Sequence, residues 1–213
     1  MHATRIVAVR HGETAWNVDT RIQGHLDIPL NDTGLWQAEQ LGQALAGESF
    51  AAIYTSDLQR AHATAQAVQR TTGAPLTTVP GLRERSFGHF QGRTFAEIEA
   101  ELPDDARRWR KRDPHYTPEG GESLVTLRER IERTVMALAA PHAGEQILLV
   151  AHGGVLDVLY RLATRQETQA PRTWQLSNAA INRLLWTPDG LTLVGWADTQ
   201  HLDDNAVRDE THS

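Results

Sequence analysis

The sequence contains no cysteine in its 213 residues. This absence excludes disulfide bonds, a thiolate nucleophile, and zinc or iron–sulfur sites built on cysteine. Positive charge is also scarce, because 21 Lys and Arg stand against 27 Asp and Glu, for a formal net charge of −6. A chain of that sign does not attract nucleic acid or an anionic membrane by bulk electrostatics. Any anionic substrate must therefore be met by a local cluster of basic side chains.

Long hydrophobic runs are absent as well. No stretch approaches the ~20 apolar residues that a membrane-spanning helix needs. Near the start only Ile6–Val9 is continuously apolar, so we expect no signal peptide and a cytoplasmic protein. The length and the 40% content of hydrophobic residues predict a single domain over residues 1–213. Weak patterning with several Pro and Gly residues indicates an insertion or lid at about residues 85–122, and the polar end predicts a mobile tail from about residue 203.

An aliphatic run that ends in His-Gly occurs twice, at His11 and at His152. Apolar runs of this length bounded by Gly are typical of buried parallel strands, whose carboxyl ends bind ligands in open α/β sheets. Both imidazoles are therefore predicted at one edge of a sheet, with Arg10 beside the first. This combination favours a phosphate site over a metal site or a hydride donor.

The rest of the chain alternates strands with helices. Strands are expected at 51–55, 76–79 and 147–151, helices at 35–46, 57–73, 95–102, 107–112, 124–138 and 155–163, and a terminal hairpin at 181–196. Asn31 or Thr33 is predicted to cap the first helix. Ser56 or Asp57 is predicted to cap the second, and Ser123 the helix at 124–138. This order predicts an α/β fold, a three-layer α/β/α sandwich whose mostly parallel sheet carries an antiparallel edge strand.

Two further polar residues fall close to the same sheet edge. Arg60 lies about one helical turn past the end of the second predicted strand, and Glu84 follows the third. Together with the two histidines and Arg10, Arg60 would surround a dianionic phosphoryl group, and the helix N-terminus beside it also favours an anion. Glu84 supplies a carboxylic acid that could protonate a leaving oxygen.

Several short motifs follow one another over nearly the whole chain. They are Arg10-His11-Gly12-Glu13-Thr14, Asn17, Arg21-Ile22-Gln23-Gly24, Asp27-Ile28-Pro29-Leu30, Arg60, Glu84 and Ala151-His152-Gly153-Gly154. In this order and at this spacing they resemble the histidine phosphatase superfamily, in its phosphoglycerate mutase-like branch. The relatives of that type are broad-specificity, α-ribazole and phosphoserine phosphatases. An Arg-His-Gly trio alone is a weak signal, whereas the ordered set is specific.

The resemblance implies a covalent mechanism. His11 would attack phosphorus through one ring nitrogen and form a phosphohistidine, while the other ring nitrogen is held by a hydrogen bond. Arg10, Arg60 and His152 would stabilise the equatorial phosphoryl oxygens. Glu84 would protonate the departing alkoxide and then deprotonate the water that hydrolyses the intermediate. This mechanism requires no metal and no cofactor. The expected partner of the protein is its substrate, a small phosphorylated metabolite.

The same resemblance supplies candidates for substrate binding. Asn17 and Gln23 match positions that line the phosphate pocket in the family, with Gly24 in the same motif as Gln23. The backbone of Gly153 matches a further position of that pocket. Phe87 stands where cofactor-dependent mutases have a tyrosine, and we include it among the substrate-binding candidates.

Two of these assignments have plain structural alternatives. Arg60 on an exposed helix face could pair with Asp57 three residues before it, an interaction worth about 0.2–0.5 kcal/mol. Glu84 lies between Arg83 and Arg85 in the sequence, so it could belong to a surface ion pair. The place of both residues in the ordered motif set favours the functional interpretation.

The family contains hydrolases and mutases, and the sequence favours a phosphatase. A mutase must protect its phosphohistidine from water and tends to have a longer cover. It also carries a lysine after the acid, where this chain has Arg93 and Thr94, and the segment 118–124 resembles the phosphatases. The pair Arg107-Arg108 resembles that of the mutases. A phosphoglycerate mutase that depends on 2,3-bisphosphoglycerate is therefore the alternative.

A third hypothesis comes from another class, a non-catalytic module that binds a phosphorylated partner without turnover. A pure binder gains nothing from an acid at the leaving group, so Glu84 argues against it. The cationic run at 107–112 is either a solvated face or a substrate contact. The sequence leaves a homodimer open.

Overall fold

Six strands form one mixed sheet in the computed structural model, which describes residues 2–203. The strands are β1 (Thr4–Arg10), β2 (Ala52–Thr55), β3 (Leu76–Thr78), β4 (Gln146–Ala151), β5 (Ile181–Thr187) and β6 (Gly190–Asp198). Their order across the sheet is β3-β2-β4-β1-β5-β6. The first four pair in parallel, whereas β5 is antiparallel to β1 and β6 to β5. The antiparallel part thus comprises both strands of the predicted hairpin.

Helices connect these strands and cover the sheet. They are α1 (Ala15–Val18), α2 (Asp32–Ala44), α3 (Gln59–Thr72), α4 (Phe95–Glu101), α5 (Pro103–Arg110), α6 (Leu124–Ala139) and α7 (Gly153–Thr164). Short 3₁₀ turns lie at Pro80–Leu82, Gly88–Phe90, Ala140–His142 and Gln200–Leu202. Within residues 2–203, no helix combines the length and the apolar character that crossing a bilayer requires. Of the predicted mobile tail only Asp203 is described, and its other residues lie outside the described part of the chain.

Side chains of β1 alternate between the two faces of the sheet. Ile6 and Ala8 pack with the apolar faces of α6 and α7, whereas Val7 and Val9 pack with those of α2 and α3. All four side chains are at most 1% exposed. A strand covered on both faces needs apolar side chains at successive positions, which explains the continuous aliphatic run in the sequence. The predicted three-layer α/β/α sandwich is confirmed.

Two of the predicted helix caps form as expected. The Asn31 side chain accepts the Gly34 N–H at 2.8 Å and begins α2. The Ser123 hydroxyl accepts the Thr126 N–H at 3.0 Å and begins α6. Each interaction satisfies one of the backbone donors that a helix N-terminus leaves without an intrahelical partner.

The predicted cap of α3 is wrong. Neither Ser56 nor Asp57 caps this helix, because its N-cap position is Leu58, which offers no side-chain acceptor. The carboxylate of Asp27 accepts the Gln59 N–H at 2.7 Å instead. The acceptor therefore comes from a loop distant in sequence, which local patterning does not reveal.

The segment 85–122 packs around a small apolar cluster of its own, apart from the two clusters that flank the sheet. It contains α4 and α5, and the cationic run at 107–112 forms the end of α5 and the turn after it. The buried members of the cluster are Phe90, Ile98, Ala106 and Tyr116. Because its own core supports it, the segment presents a defined wall to the sheet edge.

Candidate active site

The two histidines that follow aliphatic runs lie side by side. In the parallel pairing of β1 with β4, Arg10 is opposite Ala151, and the His11 N–H donates to the Ala151 carbonyl at 3.0 Å. The ring centroids of His11 and His152 are 5.2 Å apart, and the residues are 3% and 0% exposed. The prediction that both imidazoles share one edge of the sheet is confirmed.

His11 presents one ring nitrogen in a form suited to attack. Its Nδ1 lies 2.6 Å from the carbonyl oxygen of Gly12, so this nitrogen carries the proton and donates it to the carbonyl. Nε2 then keeps its lone pair. Burial, followed by the positive charges of Arg10 and Arg60, holds the pKa of His11 well below its ordinary value. The imidazole is therefore neutral near pH 7, as nucleophilic attack requires.

Contacts from distant parts of the chain fix the backbone around His11. The Asn178 side chain donates to the His11 carbonyl at 2.9 Å, and the Gly12 N–H donates to the Thr64 hydroxyl at 3.0 Å. A Cβ on Gly12 would lie 2.5 Å from the carbonyl oxygen of Gly34, so the close approach of the two loops requires glycine. The nucleophile is thus held by backbone geometry as well as by its own ring.

Arg60 is buried, with 1% exposure, and is held by two backbone carbonyls. Its Nη1 donates to the Leu26 carbonyl and its Nη2 to the Gly24 carbonyl, both at 2.8 Å. The alternative of an exposed pair with Asp57 is wrong, because Asp57 pairs with Arg83 at 2.6 Å.

Three buried nitrogen atoms at this edge have no hydrogen-bond partner among the described residues. They are Arg10 Nε, Arg60 Nε and His152 Nδ1. Arg10 is held through Nη1, which donates to the Leu176 carbonyl at 2.7 Å. Burial and then the charge of Arg60 hold the pKa of His152 well below its ordinary value. Because buried polar groups are costly without partners, these nitrogens are suited to the oxygens of an anion.

The amino end of α7 completes this group of donors. The helix begins at Gly153, and its N-cap residue His152 makes no side-chain cap bond. A Cβ on Gly153 would lie 3.5 Å from Arg10 Nε and 3.9 Å from Glu84 Oε2, so the Gly153 backbone runs beside both groups. Free N–H groups at a helix N-terminus favour a bound anion.

Glu84 approaches the site from the turn after β3. Its Oε1 accepts the Arg85 N–H at 2.7 Å, and its Oε2 accepts the Gly154 N–H at 3.0 Å. Its charge raises the pKa of Arg10 and of Arg60, against the effect of burial. The carboxylate therefore lies within electrostatic reach of both arginines of the anion site.

The backbone at Glu84 is also held in place. His25 Nε2 donates to the Glu84 carbonyl at 2.8 Å, and Arg130 Nη2 donates to it at 3.2 Å. Arg130 is in turn paired with Glu122 at 2.8 Å. In the described structure neither flanking arginine uses its side chain to pair with Glu84, so the surface-pair alternative is wrong.

The loop after β1 holds three of the candidates for substrate binding. The Thr14 N–H donates to Asn17 Oδ1 at 3.0 Å, and the Thr14 hydroxyl donates to Gln23 Oε1 at 2.9 Å. Gly24, at φ +54°, lies against the side chain of Gln91. Because Asn17 and Gln23 accept through oxygen, their NH₂ groups are the atoms available to a phosphoryl oxygen.

A cavity of about 240 Å³ opens beside the anion site. Arg10 and Gly153 line it on the side of the sheet, and Phe87 and Trp109 line it on the segment 85–122. The rings of Phe87 and Trp109 are stacked, with centroids 5.1 Å apart and an interplanar angle of 3°. Phe87 therefore forms part of an aromatic wall next to the reacting groups.

The charge of this cavity is strongly positive for an acidic protein. Six arginines line it, namely Arg10, Arg85, Arg112, Arg128, Arg161 and Arg172. One carboxylate, Asp157, is also among the lining residues, and it pairs with Arg112 and Arg161, each at 2.9 Å. The cavity thus carries more positive charge than its own carboxylate neutralises.

Not all of these arginines are free for a ligand. Arg85 donates to two backbone carbonyls of the segment 85–122. Arg128 makes one long hydrogen bond, 3.4 Å, to the Gln166 carbonyl. Arg172 lies at the exposed mouth and makes no hydrogen bond or ion pair with residues 2–203, and its charge lowers the pKa of Arg10. Arg172 and Arg128 are therefore the least engaged of the arginines that line the cavity besides Arg10.

The cationic run on α5 contributes little to this cavity. Three of its arginines form exposed ion pairs with nearby acidic residues, Arg107 with Asp104, Arg108 with Asp113 and Arg110 with Glu99. The fourth, Arg112, lines the cavity and is held by Asp157. Arg107 and Arg108, the pair that resembles the mutases, do not line the cavity beside His11.

The structure brings together all five residues proposed for chemistry and adds residues that the sequence analysis missed. The Ser56 hydroxyl lies 2.8 Å from His152 Nε2. Thr64 contacts the site from α3, the helix that also carries Arg60, and Asn178 and Arg172 reach it from the connection between α7 and β5. Thr64 could have been found, since it lies one helical turn after Arg60. Asn178 and Arg172 lie on an irregular connection, where periodicity gives no signal.

Residues 2–203 contain no group of three or more side chains of the ligating types placed to hold a metal ion.

Comparison with known proteins gives one family. The profile described as "Histidine phosphatase superfamily (branch 1)" matches residues 6–199. The chain is 37% identical over 203 residues to "Phosphoglycerate mutase-like protein 4" of Arabidopsis thaliana, covering 93% of this chain and 87% of that protein. It is 36% identical over 202 residues to the "Metal-independent phosphoserine phosphatase" of the same plant, covering 93% and 83%.

Solved structures agree with this family. "Bacillus stearothermophilus YhfR" superposes with a TM-score of 0.87 at 30% identity, over 94% of this chain and all of that one. A phosphoserine phosphatase from Entamoeba histolytica, solved with 3-phosphoglyceric acid, gives a TM-score of 0.83 at 27% identity over 94% and 100%. The shared architecture extends over nearly the whole chain.

Proposed function

Because the chain belongs to the histidine phosphatase superfamily (branch 1) and is a phosphatase, we propose that it hydrolyses small phosphorylated metabolites through a phosphohistidine formed on His11. One observation carries the proposal. A neutral imidazole with a free Nε2 lies in a group of buried arginine and histidine nitrogens that lack partners among the described residues, with a carboxylate beside them. This arrangement provides a nucleophile, an anion site and an acid within one pocket.

In the first step His11 Nε2 attacks phosphorus, and the bond from phosphorus to the leaving oxygen breaks. Arg10, Arg60 and His152 bind the equatorial oxygens, where charge is spread in the transition state. Glu84, in its protonated form, gives its proton to the departing alkoxide, which leaves as an alcohol. The phosphoryl group is then bonded to His11.

In the second step a water molecule attacks the phosphohistidine. Glu84, now a carboxylate, accepts a proton from that water, and the bond from His11 Nε2 to phosphorus breaks. Inorganic phosphate leaves, and both residues return to their starting states. The Gly12 carbonyl, which accepts from His11 Nδ1 at 2.6 Å, keeps the ring oriented through both steps.

The charge of the cavity supports a substrate whose alcohol carries a carboxylate. Arg10 and Arg60 are assigned to the phosphoryl group, whereas Arg172 and Arg128 line the same cavity and have few partners of their own. Guanidinium groups bind carboxylates through paired hydrogen bonds. At about 240 Å³ the cavity accommodates a small molecule, with the stacked Phe87 as its apolar wall.

The names of similar proteins are compatible with such a substrate. The plant relative is named a metal-independent phosphoserine phosphatase, and the amoebal structure holds 3-phosphoglyceric acid. Phosphoserine and 3-phosphoglycerate are both small phosphomonoesters with a carboxylate. We therefore choose them as the first substrates for a test.

Mutase activity is the second candidate, because another relative is named phosphoglycerate mutase-like. The pair Arg107-Arg108, which resembles that of the mutases, does not support this activity. Both arginines are engaged in exposed ion pairs outside the cavity. The proposed function therefore includes no 2,3-bisphosphoglycerate cofactor. The cytoplasmic location expected from the sequence is part of the same proposal.

Phosphorus NMR of the purified protein with 3-phosphoglycerate and a trace of 2,3-bisphosphoglycerate tests the proposal. We expect free phosphate to accumulate without 2-phosphoglycerate, and a folded His11→Ala protein to release none. Growth of 2-phosphoglycerate ahead of phosphate would identify a mutase. Tight binding of phosphoserine without turnover of any phosphomonoester in a panel would identify a non-catalytic binder.

A further inference from the structure

Ser56 is a buried polar residue that the mechanism above does not use. It follows β2 directly, and its backbone N–H donates to the Val150 carbonyl of the neighbouring strand at 3.0 Å. Its side chain is 0% exposed, and Oγ lies 2.8 Å from His152 Nε2. The sheet therefore brings a hydroxyl from the end of one strand against the imidazole at the end of the next.

The hydrogen bonds of the Ser56 hydroxyl decide the direction of this contact. Oγ accepts the Leu58 N–H at 3.3 Å. The hydroxyl proton then needs an acceptor, and within residues 2–203 the contact that supplies one is His152 Nε2. A hydroxyl that donates to Nε2 requires a lone pair there, so the proton of the neutral imidazole must lie on Nδ1.

The surroundings of the other nitrogen agree with this direction. His152 Nδ1 is buried and has no partner among the described residues. The His152 ring faces His11, and the positive charges of Arg60 and Arg10 act on it. With a proton on Nδ1, this atom is a donor at the place where the phosphoryl oxygens are proposed to bind. With a bare lone pair, it would repel them.

We propose that Ser56 is a positioning residue, whose hydroxyl donates to His152 Nε2 and so keeps Nδ1 protonated as a hydrogen-bond donor to the phosphoryl group. The inference rests on the proposed phosphoryl transfer at His11. It goes beyond that transfer by assigning the tautomer of the second histidine to a named side chain. Ser56 acts through His152 and touches no reacting atom itself.

Nitrogen-15 NMR of histidine side chains reads the tautomer directly. The wild-type protein, labelled at its ten histidines, is recorded near neutral pH without and with inorganic phosphate, and the signals of His152 are assigned with His152→Asn. We expect the Nδ1–H tautomer in the free protein and a shift of the Nδ1–H signal when phosphate binds. An Nε2–H tautomer in the wild type overturns the proposal.

Ser56→Ala is expected to give a mixture of both tautomers and a fall in kcat/KM of about tenfold, the size of one buried hydrogen bond. Ser56→Thr keeps the hydroxyl and is expected to restore the Nδ1–H tautomer. A pure Nδ1–H tautomer in Ser56→Ala overturns the proposal whatever the activity of that variant. If Ser56→Ala does not fold, the spectra of the wild type and of Ser56→Thr decide.

Thr4→Val serves as the matched control. Thr4 is also 0% exposed, and its hydroxyl donates to the Ala139 carbonyl at 2.8 Å, at the opposite end of β1 from His11. The variant loses a buried hydroxyl of the same kind, so it should lower stability and leave the His152 tautomer unchanged. The tautomer is read in the resting protein. A wild type that releases no phosphate would therefore contradict the proposed function without deciding the role of Ser56.

Discussion

The carboxylate of Glu84 and the backbone of Gly154 are in direct contact. Glu84 Oε2 accepts the Gly154 N–H at 3.0 Å, and a Cβ on Gly154 would lie 2.2 Å from Glu84 Oε1. The first turn of α7 thus binds the Glu84 carboxylate through a backbone N–H. Because residue 154 is a glycine, the same turn also leaves room for that carboxylate. Because α7 begins directly after His152, the same turn fixes the proposed acid relative to the anion site.

Gly154→Ala is expected to lower kcat/KM on an alkyl phosphate about tenfold or more while the fold is retained. The added methyl group displaces the flexible end of the Glu84 side chain. It approaches no backbone atom of another segment within 3 Å, so the backbone can stay in place. Alanine is accepted in a helix, so the free energy of unfolding should change by less than about 1 kcal/mol. Steady-state kinetics and urea unfolding measure the two effects separately.

Gly153→Ala is the matched comparison for this prediction. Its Cβ would lie 3.5 Å from Arg10 Nε, an ordinary contact, so we expect a smaller loss of activity than for Gly154→Ala. A larger loss for Gly153→Ala would contradict the assignment of steric control to the pair Gly154 and Glu84.

Glu84→Gln tests the proposed acid through the leaving group. We expect a loss of about 10²–10⁴-fold in kcat/KM on phosphoserine, whose alkoxide needs a proton to depart. An aryl phosphate such as p-nitrophenyl phosphate leaves without one, so its kcat/KM, which reports the first step, should hardly change. Its kcat should fall, because Glu84 is also the proposed base for hydrolysis of the phosphohistidine. Equal losses of kcat/KM on the two substrates would show that Glu84 is not the acid.

Arg172→Ala tests the carboxylate subsite. We expect KM for phosphoserine to rise about tenfold, since a hydrogen bond to a charged group is lost. KM for an alkyl phosphate without a carboxylate should stay near the wild-type value. Arg107→Ala, which removes an exposed partner of Asp104 outside the cavity, is the control and should change neither value. The same rise for both substrates would place Arg172 at the phosphoryl group instead.

The buried histidines predict how stability depends on pH. The pKa values of His11 and His152 lie well below 6.5 in the folded protein, chiefly because of burial. Below about pH 6.5 the unfolded chain therefore binds more protons than the folded one. The free energy of unfolding should fall as the pH is lowered from 7 toward 5, by up to about 1.4 kcal/mol per pH unit for each histidine.

Urea unfolding at pH 7, 6 and 5 measures this slope. His11→Asn removes one of the two groups, so its slope should be smaller than that of the wild type. The interval lies above the range in which most carboxylates titrate, which limits their contribution. An unchanged slope in His11→Asn would mean that His11 is not held neutral by the fold.

Metal removal should leave activity intact. Residues 2–203 offer no cluster of ligating side chains for an ion, and the proposed chemistry uses only protein groups and water. Phosphate release is therefore expected to continue after dialysis against EDTA. Strong inhibition that added Mg²⁺ or Zn²⁺ reverses would contradict a metal-independent route.

Much of the fold was predictable because the relevant signals are local. The aliphatic runs before His11 and His152 identify buried strands, and Asn31 and Ser123 identify helix starts, since each pattern spans only a few residues. The cap of α3 was not predictable, because its acceptor, Asp27, comes from a distant loop.

The candidate active site was likewise predictable in part from the sequence and in part only from the structure. An ordered set of motifs was sufficient to nominate Arg10, His11, Arg60, Glu84 and His152. The sequence left open whether Glu84 joins a surface pair, and the structure gives both its oxygens to backbone N–H groups. The cationic run on α5 was the more conspicuous cluster of basic residues in the sequence, but most of it lies outside the cavity. Arg172, a single arginine on an irregular connection, lies at the mouth of the cavity instead.

The sequence by itself determined which segments become buried strands and helices and which residue types are available at their ends, because hydrophobic periodicity and capping act between near neighbours in the chain. The tertiary structure decided which atoms meet. The Ser56 contact joins residues 96 positions apart in the chain. The free nitrogens around the anion site and the position of Arg172 likewise depend on segments distant in sequence or on irregular backbone. Such contacts form only when the sheet aligns the strand ends, so no local pattern encodes them.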